Sequence, residues 1–169
     1  ALVVIPYDNP TGQLYEKAQL VELARLCVAN DMWLVSDEAY RELHYGADAP
    51  VSVWALTEDE VPGITGRRIS IETSSKVWNA CGLRIGALIT DNEEWHRKAV
   101  AEYTANLCAS AIGQWIFAAL AHESRENLRE WYKRGFAMMQ ENGLYPGGVS
   151  GHATHGFSLK MLPFTDEIL

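Results

Sequence analysis

Apolar residues at the start of the chain form short continuous runs separated by one amphipathic stretch. Ala1–Pro6 is an apolar run bounded by turn residues, which is typical of a strand covered on both faces. From Tyr15 to Asp31 apolar positions recur at helical spacing, with charged residues opposite them. Met32–Val35 is a second apolar run. The order strand, helix, strand predicts a right-handed parallel crossover and an α/β fold.

Two more strands and a helix follow in the middle of the chain. Arg68–Thr73 and Ile85–Thr90 have strand patterns, and the segment between them is too short for a crossover helix. This spacing favours antiparallel pairing of the two strands. Asp91 and Asn92 are residue types that cap helices, and Glu93–Tyr103 is predicted to be helical.

The last third of the chain has a different pattern. One long helical pattern runs from about Ala111 to Glu141, and Asn142-Gly143 ends it. Phe157–Leu162 then suggests a strand or hairpin of a different layer. We therefore place a domain boundary near Ser110, which divides the chain into residues 1–110 and 111–169.

Composition and charge narrow the classes of function. The 169 residues are 48% hydrophobic and 21% charged, which is ordinary for a globular unit with one core. A net charge of -8 with scattered basic residues argues against a nucleic-acid partner. The chain has no run of about 18 apolar residues and no signal-peptide pattern, so we expect no membrane span and a cytoplasmic location.

Cysteine and histidine spacing gives no support for a metal site. Cys27, Cys81 and Cys108 are widely separated and odd in number, which fits neither a disulfide framework nor a metal knuckle. His152 and His155 have a ligand-like spacing, but they lie in a Gly-rich stretch with no nearby Cys or carboxylate. We therefore expect no metal.

Polar clusters follow three of the predicted strands. Asn9 follows the first strand, Asp37 and Tyr40 follow the second, and Thr73–Lys76 follows the third. Ligands in open α/β sheets collect just beyond the carboxyl ends of the strands. The clusters therefore predict a small-molecule site at that edge.

Taken together, these clusters resemble the pyridoxal 5'-phosphate (PLP) dependent aminotransferases of the aspartate aminotransferase superfamily (fold type I, class I/II). The matching motifs are Asn9-Pro10-Thr11-Gly12, Asp37-Glu38-Ala39-Tyr40, Thr73-Ser74-Ser75-Lys76, and Gly82–Gly86 with Arg84 eight residues after Lys76. Each motif is weak alone, but this order and spacing would rarely arise by chance. The resemblance implies part of the large PLP-binding domain, a mostly parallel sheet flanked by helices, followed by the start of an α+β small domain.

The resemblance implies that Lys76 and Asp37 carry the chemistry. Lys76 would bind PLP as a Schiff base and, once displaced by substrate, would move a proton as a general acid and base. Asp37 would keep the pyridine nitrogen protonated, which the cofactor needs to accept electrons.

The other implied residues hold the cofactor. Asn9 and Tyr40 would donate hydrogen bonds to its phenolic oxygen and so tune the basicity of the Schiff base. Arg84 would bind the phosphate with its guanidinium fork. Thr73 and, more weakly, Ser75 would add hydroxyl groups to the phosphate site.

The implied activity is transfer of an amino group between an amino acid and a 2-oxo acid, in a homodimer when full length. A PLP-dependent C-S lyase, decarboxylase or synthase would keep the same cofactor residues, and a non-catalytic aminotransferase-like regulatory domain is a further alternative. The family's upstream phosphate loop and stacking aromatic residue, and its downstream substrate-binding arginine, have no match here. We therefore expect these 169 residues alone to bind PLP weakly and to be inactive.

Overall fold

A four-stranded mixed sheet forms the centre of the protein. The computed structural model describes residues 1–9, 11–43, 51–105 and 108–141. Within them β1 (Leu2–Val4), β2 (Leu34–Asp37), β3 (Arg68–Thr73) and β4 (Gly86–Thr90) lie side by side in chain order. The first three strands are parallel, and β4 runs antiparallel to β3. The predicted parallel crossover, the antiparallel pairing and the α/β class are confirmed.

Helix α1 (Lys17–Ala29) covers one face of this sheet. It begins with a capping box, in which the backbone N–H of Glu16 donates to the side chain of Gln19 at 2.8 Å. Leu20, Ala24 and Cys27 are completely buried, at the i, i+4, i+7 spacing of one helix face. They form the core with apolar residues of the strands and of the segment after β2, namely Val4, Leu34, Val53, Leu56, Val61 and Ile64.

The opposite face of the sheet is only partly covered in the described part of the chain, where Ile69 of β3 is 4% exposed. In β1, Val4 is 5% exposed, whereas Val3, which points to the other face, is 63% exposed. Leu88 of β4 is likewise 54% exposed. The expectation that β1 is covered on both faces is therefore wrong for the described residues, because α1 and the residues around Val53 pack on one side only.

The helical part of the chain is divided into more helices than its pattern predicts. Helix α2 (Glu93–Ala105) is confirmed, and Asn92 caps it by accepting the N–H of Trp95 at 2.8 Å. The single helix expected from Ala111 to Glu141 is wrong. The chain instead forms α3 (Ala111–Ala118), a 3-10 turn (Ala119–His122) and α4 (Arg125–Glu141).

The break between the helices has a local cause. Glu123 is extended, with φ of -82° and ψ of 143°, and the hydroxyl of Ser124 accepts the N–H of Asn127 at 3.0 Å. Ser124 thus acts as an N-cap, which favours a new helix start. The predicted helix end at Asn142-Gly143 and the strand at Phe157–Leu162 lie outside the described residues. The domain boundary near Ser110 stays a prediction.

An exposed carboxylate organises the loop that leads into β3. The two oxygens of Glu58 accept the backbone N–H groups of Gly63 and Thr65, each at 2.7 Å. The hydrogen bonds from Thr65 and Gly63 lower the pKa of Glu58 to about 2. Gly63 has φ of 86°, a conformation that favours glycine. The ionised form of Glu58 therefore stabilises this loop.

We predict that Glu58→Gln lowers stability at neutral pH, because the amide accepts these hydrogen bonds less strongly than the carboxylate. The folded pKa is depressed, so the contribution of Glu58 is fully present above its usual pKa of 4.5. It is lost as pH falls through about 2. Urea denaturation from pH 7 to pH 2 should show the gap between the native protein and the variant closing with acid. Asp59→Asn, at the next exposed position, is the control, and a gap independent of pH would contradict the prediction.

Candidate active site

Two side chains from separate strand ends meet directly. The amide nitrogen of Asn9 donates to the hydroxyl of Tyr40 at 2.8 Å, across 31 positions of sequence. Asn9 lies in a tight turn, in which the N–H of Gly12 donates to the carbonyl of Asp8 at 2.8 Å. Gly12 has φ of 70°, which explains a glycine at this position. The turns after β1 and β2 are therefore joined.

Lys76 follows β3, and its side chain lies next to Tyr40. Its amine nitrogen lies 5.5 Å from the centroid of the Tyr40 ring, within the range of a cation–π contact. The loop carrying Lys76 is anchored by buried Ser74, whose N–H donates to the carbonyl of Ile85 at 3.0 Å and whose carbonyl accepts the N–H of Ala80 at 3.1 Å. Three turns thus bring an amide, a phenol and an amine together.

Asp37 lies at the same edge of the sheet as the last residue of β2. It is half-buried and pairs in register with Ile71 of β3. One of its carboxylate oxygens accepts the N–H of Ala39 at 3.1 Å. Asp37 therefore also stabilises the turn that leads to Tyr40.

The predicted phosphate residues are only partly assembled. The hydroxyl of Thr73 donates to that of Ser75 at 3.0 Å and accepts the N–H of Ser75 at 3.1 Å. Arg84 is exposed, is left-handed with φ of 55°, and donates to the carbonyl of Cys81 at 2.9 Å. The structure therefore unites Thr73 with Ser75 but does not place the guanidinium of Arg84 in hydrogen bonding with either hydroxyl.

Sequence reasoning missed a buried carboxylate inside the second motif. Glu38 is fully buried and accepts hydrogen bonds from the hydroxyl of Ser52, the N–H of Val53 and the guanidinium of Arg41. The alternation of the strand could have revealed it. Leu34, Ser36 and Glu38 share one face, and all three are buried.

Arg41 joins Glu38 to a second carboxylate. One guanidinium nitrogen of Arg41 lies 2.5 Å from Glu38 and 3.0 Å from Glu72. Burial acts to lower the pKa of Arg41, but the charges of Glu38 and Glu72 raise it above its ordinary value. Burial also raises the pKa of Glu72, against the influence of Arg41. The result is a charged network directly behind the Tyr40 turn.

A cavity lies beside the cluster rather than at it. Its volume is about 710 Å³, which is in the range of small-molecule sites. Its walls come from Glu72, from four residues of the segment after it, from the start of β4, and from the face of α4 that carries Arg125, Arg129 and Tyr132. The four residues after Glu72 are Thr73, Ser74, Val77 and Trp78. Asn9, Asp37, Tyr40 and Lys76 do not line it. A ligand held by Lys76 would therefore lie next to this space.

The described ranges contain neither a metal-ligand cluster nor a helix that could span a membrane. No group of three or more His, Cys, Asp or Glu side chains in residues 1–9, 11–43, 51–105 and 108–141 is arranged to hold a metal ion. His152 and His155 lie outside those ranges, so the expectation of no metal stays a prediction. No helix in the described ranges is long and apolar enough to cross a membrane.

Comparisons with known proteins identify relatives. Residues 2–141 match the family model "Aminotransferase class I and II". The chain is 28% identical over 164 residues to the aspartate/prephenate aminotransferase of Thermus thermophilus, a match covering 88% of this chain and 40% of that protein. It is 34% identical over 86 residues to the aspartate aminotransferase of Geobacillus stearothermophilus, covering 51% of this chain and 21% of that protein.

A solved structure supports the same relationship. The fold superimposes on a double mutant of Thermus thermophilus aspartate aminotransferase with a TM-score of 0.64 and 26% identity, covering 85% of this chain and 36% of that one. The chain thus spans well under half the length of the relatives it matches. With the family model covering most of its residues, the chain belongs to the class I and II aminotransferases.

Proposed function

We propose that the protein carrying these residues is a PLP-dependent aminotransferase that moves an amino group between an amino acid and a 2-oxo acid. The observation that carries this proposal is the convergence of Asn9, Tyr40 and Lys76 from three different strand ends. An amine nucleophile beside two groups able to donate hydrogen bonds to an oxygen anion is the set that a bound PLP aldehyde and phenolate require. The family membership and the names of the relatives support the same activity.

Lys76 is the residue we assign to the covalent linkage and to proton transfer. Bound PLP would supply an electron sink for the carbanion formed at the substrate carbon. Lys76, on a loop with the ring of Tyr40 beside its amine, would carry the proton to and from that carbon. The neighbouring hydroxyl of Tyr40 would help to orient the amine.

Asp37, Asn9 and Tyr40 are the residues we assign to the cofactor ring. The carboxylate of Asp37 would face the pyridine nitrogen and favour its protonated form. Asn9 and Tyr40 already share a hydrogen bond of 2.8 Å, so both can donate toward one phenolic oxygen placed between them. These donors would spread the negative charge of that oxygen and lower the affinity of the Lys76 nitrogen for its proton.

Arg84, Thr73 and Ser75 are the residues we assign to the phosphate. The paired hydroxyls of Thr73 and Ser75 lie 3.0 Å apart, close enough to donate to a single phosphate group. Arg84 would exchange its single hydrogen bond to Cys81 for a bidentate contact with phosphate oxygens, which is the stronger interaction. Because Arg84 is exposed, this rotation leaves no buried group without a partner.

The remaining proposals concern the whole protein. Class I and II aminotransferases are usually homodimers with their sites at the subunit interface, and we propose the same assembly here in the cytoplasm. Its partners would be amino acids and 2-oxo acids. Nucleic acid is disfavoured by the net charge of -8.

We predict that Lys76→Ala in the complete enzyme lowers kcat by at least about 10²–10⁴-fold, the usual contribution of a general acid or base. Borohydride treatment in the presence of PLP, followed by peptide mass mapping, should label Lys76 in the native enzyme and nothing in the variant. Lys98→Ala is the matched control, because Lys98 is an exposed lysine paired with Glu94 at 2.7 Å. Labelling that persists at another lysine in Lys76→Ala would contradict the assignment.

We predict that turnover by the complete enzyme depends on a 2-oxo acid acceptor. A transaminase returns its cofactor to the starting form only by passing the amino group on, so steady-state product should require pyruvate or 2-oxoglutarate. A lyase of the same fold releases ammonia without an acceptor. Ammonia release with no acceptor present is the outcome that contradicts transamination.

We predict that residues 1–169 alone bind PLP weakly and do not transaminate. Lys76 is exposed, and Arg84 is exposed and donates to the carbonyl of Cys81. Water would therefore compete with PLP for both the amine of Lys76 and the guanidinium of Arg84. Absorbance titration of the isolated chain with PLP should give no saturable Schiff-base band at micromolar concentration. A strong band that borohydride fixes onto Lys76 would overturn this prediction.

A further inference from the structure

Glu38 is a buried charge at the centre of the turn that carries Asp37 and Tyr40. Its side chain is 0% exposed, and it takes no part in the proposed binding of PLP. The hydroxyl of Ser52 lies 2.9 and 2.7 Å from its two oxygens and donates to the carboxylate, and the N–H of Val53 donates at 2.9 Å. Arg41 adds a charged hydrogen bond at 2.5 Å. A buried carboxylate is tolerated only when it is paired and hydrogen-bonded in this way.

These contacts fix the turn at several points. The N–H of Glu38 donates to the carbonyl of Ile71 at 3.0 Å, which ties the turn to β3. The N–H of Arg41 donates to the carbonyl of Glu38 at 3.1 Å, and that of Leu43 to the carbonyl of Tyr40 at 2.8 Å. The carboxylate of Glu38 then holds the whole turn against Ser52 and Val53.

The position of Tyr40 depends on this turn. Tyr40 lies two residues beyond Glu38 and one before Arg41, whose guanidinium is held by Glu38 and Glu72. Tyr40 accepts a hydrogen bond from Asn9, and its ring faces the amine of Lys76. If the carboxylate of Glu38 is neutralised, the ion pairs left to Arg41 among the described residues are those with Glu72 and with Glu42, whose oxygen lies 3.7 Å from it. We expect the backbone of the turn to move at Tyr40 as a result.

We propose that Glu38 is a positioning residue for the reaction, which acts by holding the hydroxyl of Tyr40 at Asn9 and the ring of Tyr40 at the amine of Lys76. This inference rests on the proposed function, because it assigns Glu38 a role in tuning the proton affinity of Lys76. Glu38 does not touch the reacting atoms. Its effect passes through Tyr40 alone.

The decisive experiment is a double-mutant cycle on the complete enzyme loaded with PLP. The visible absorbance band reports the pH at which the Lys76 nitrogen loses its proton. Tyr40→Phe removes a donor to the phenolic oxygen and should raise that pH by roughly one unit. Glu38→Gln should also raise the pH at which the Lys76 nitrogen loses its proton. In the double variant the shift should equal that of Tyr40→Phe alone, because the proposed effect of Glu38 requires the hydroxyl that Tyr40→Phe removes.

A matched control separates positioning from general stability. Glu60 is an ion-paired carboxylate, 2.6 Å from Lys17, in the loop beside α1. Glu60→Gln should lower thermal stability without moving the titration of Lys76. If Glu38→Gln folds poorly, Ser52→Ala removes one donor to Glu38 and should give a smaller shift of the same sign. Additive shifts in the cycle, or an unshifted titration in Glu38→Gln, overturn the proposal.

A cofactor-free measurement keeps the two proposals distinguishable. In the isolated chain, the NMR signal of the Asn9 side-chain amide reports its hydrogen bond to Tyr40. Glu38→Gln should move this signal toward its position in Tyr40→Phe, whereas Glu60→Gln should leave it in place. An unmoved Asn9 signal contradicts the role of Glu38. Absence of any Schiff-base band in the native complete enzyme counts instead against the proposed function.

Discussion

The parallel register of β1, β2 and β3 is the constraint on which the rest of the structure depends. Leu2 pairs with Leu34, and Leu34 pairs with Arg68, so the three strands end at one edge of the sheet. Residues far apart in sequence, such as Asn9 and Lys76, meet there because each follows a strand end. A register slip of one residue would exchange the two faces of β2. It would place Asp37 in the core and Glu38 on the open side.

The fold as far as β4 was predictable because each element has a local signature that tertiary packing does not oppose. The helical face of Leu20, Ala24 and Cys27 and the apolar run at Leu34 both point into one core. The break at Glu123 was not predictable from periodicity, because residues 122–127 contain no apolar position that could show the helix ending or continuing. Only the cap made by Ser124 marks the new helix, and a serine within a helical pattern is a weak signal.

The convergence of Asn9, Tyr40 and Lys76 was predictable, but the detailed geometry of the candidate site was not. The motifs identified Asn9, Tyr40 and Lys76 because side chains that follow parallel strands must share an edge. They could not show that Arg84 turns to the carbonyl of Cys81, since the direction of a long exposed side chain is not encoded in spacing. Glu38 was missed for the opposite reason. A glutamate in a turn is usually solvated, and the burial of Glu38 depends on Ser52, which lies 14 positions further along the chain, as well as on nearby Arg41.

The side chains on the two faces of the sheet differ in burial. Ser36 and Glu38 point into the closed face under α1, where a carboxylate needs every partner it has. Asp37 and Thr73 belong to the alternate positions and so project from the face on which Val3 is exposed. Neighbouring residues at one strand end therefore differ: Asp37 is partly accessible, whereas Glu38 is buried and holds the turn in place. Because Asp37 and Glu38 are consecutive, one strand end carries both a half-buried and a fully buried carboxylate.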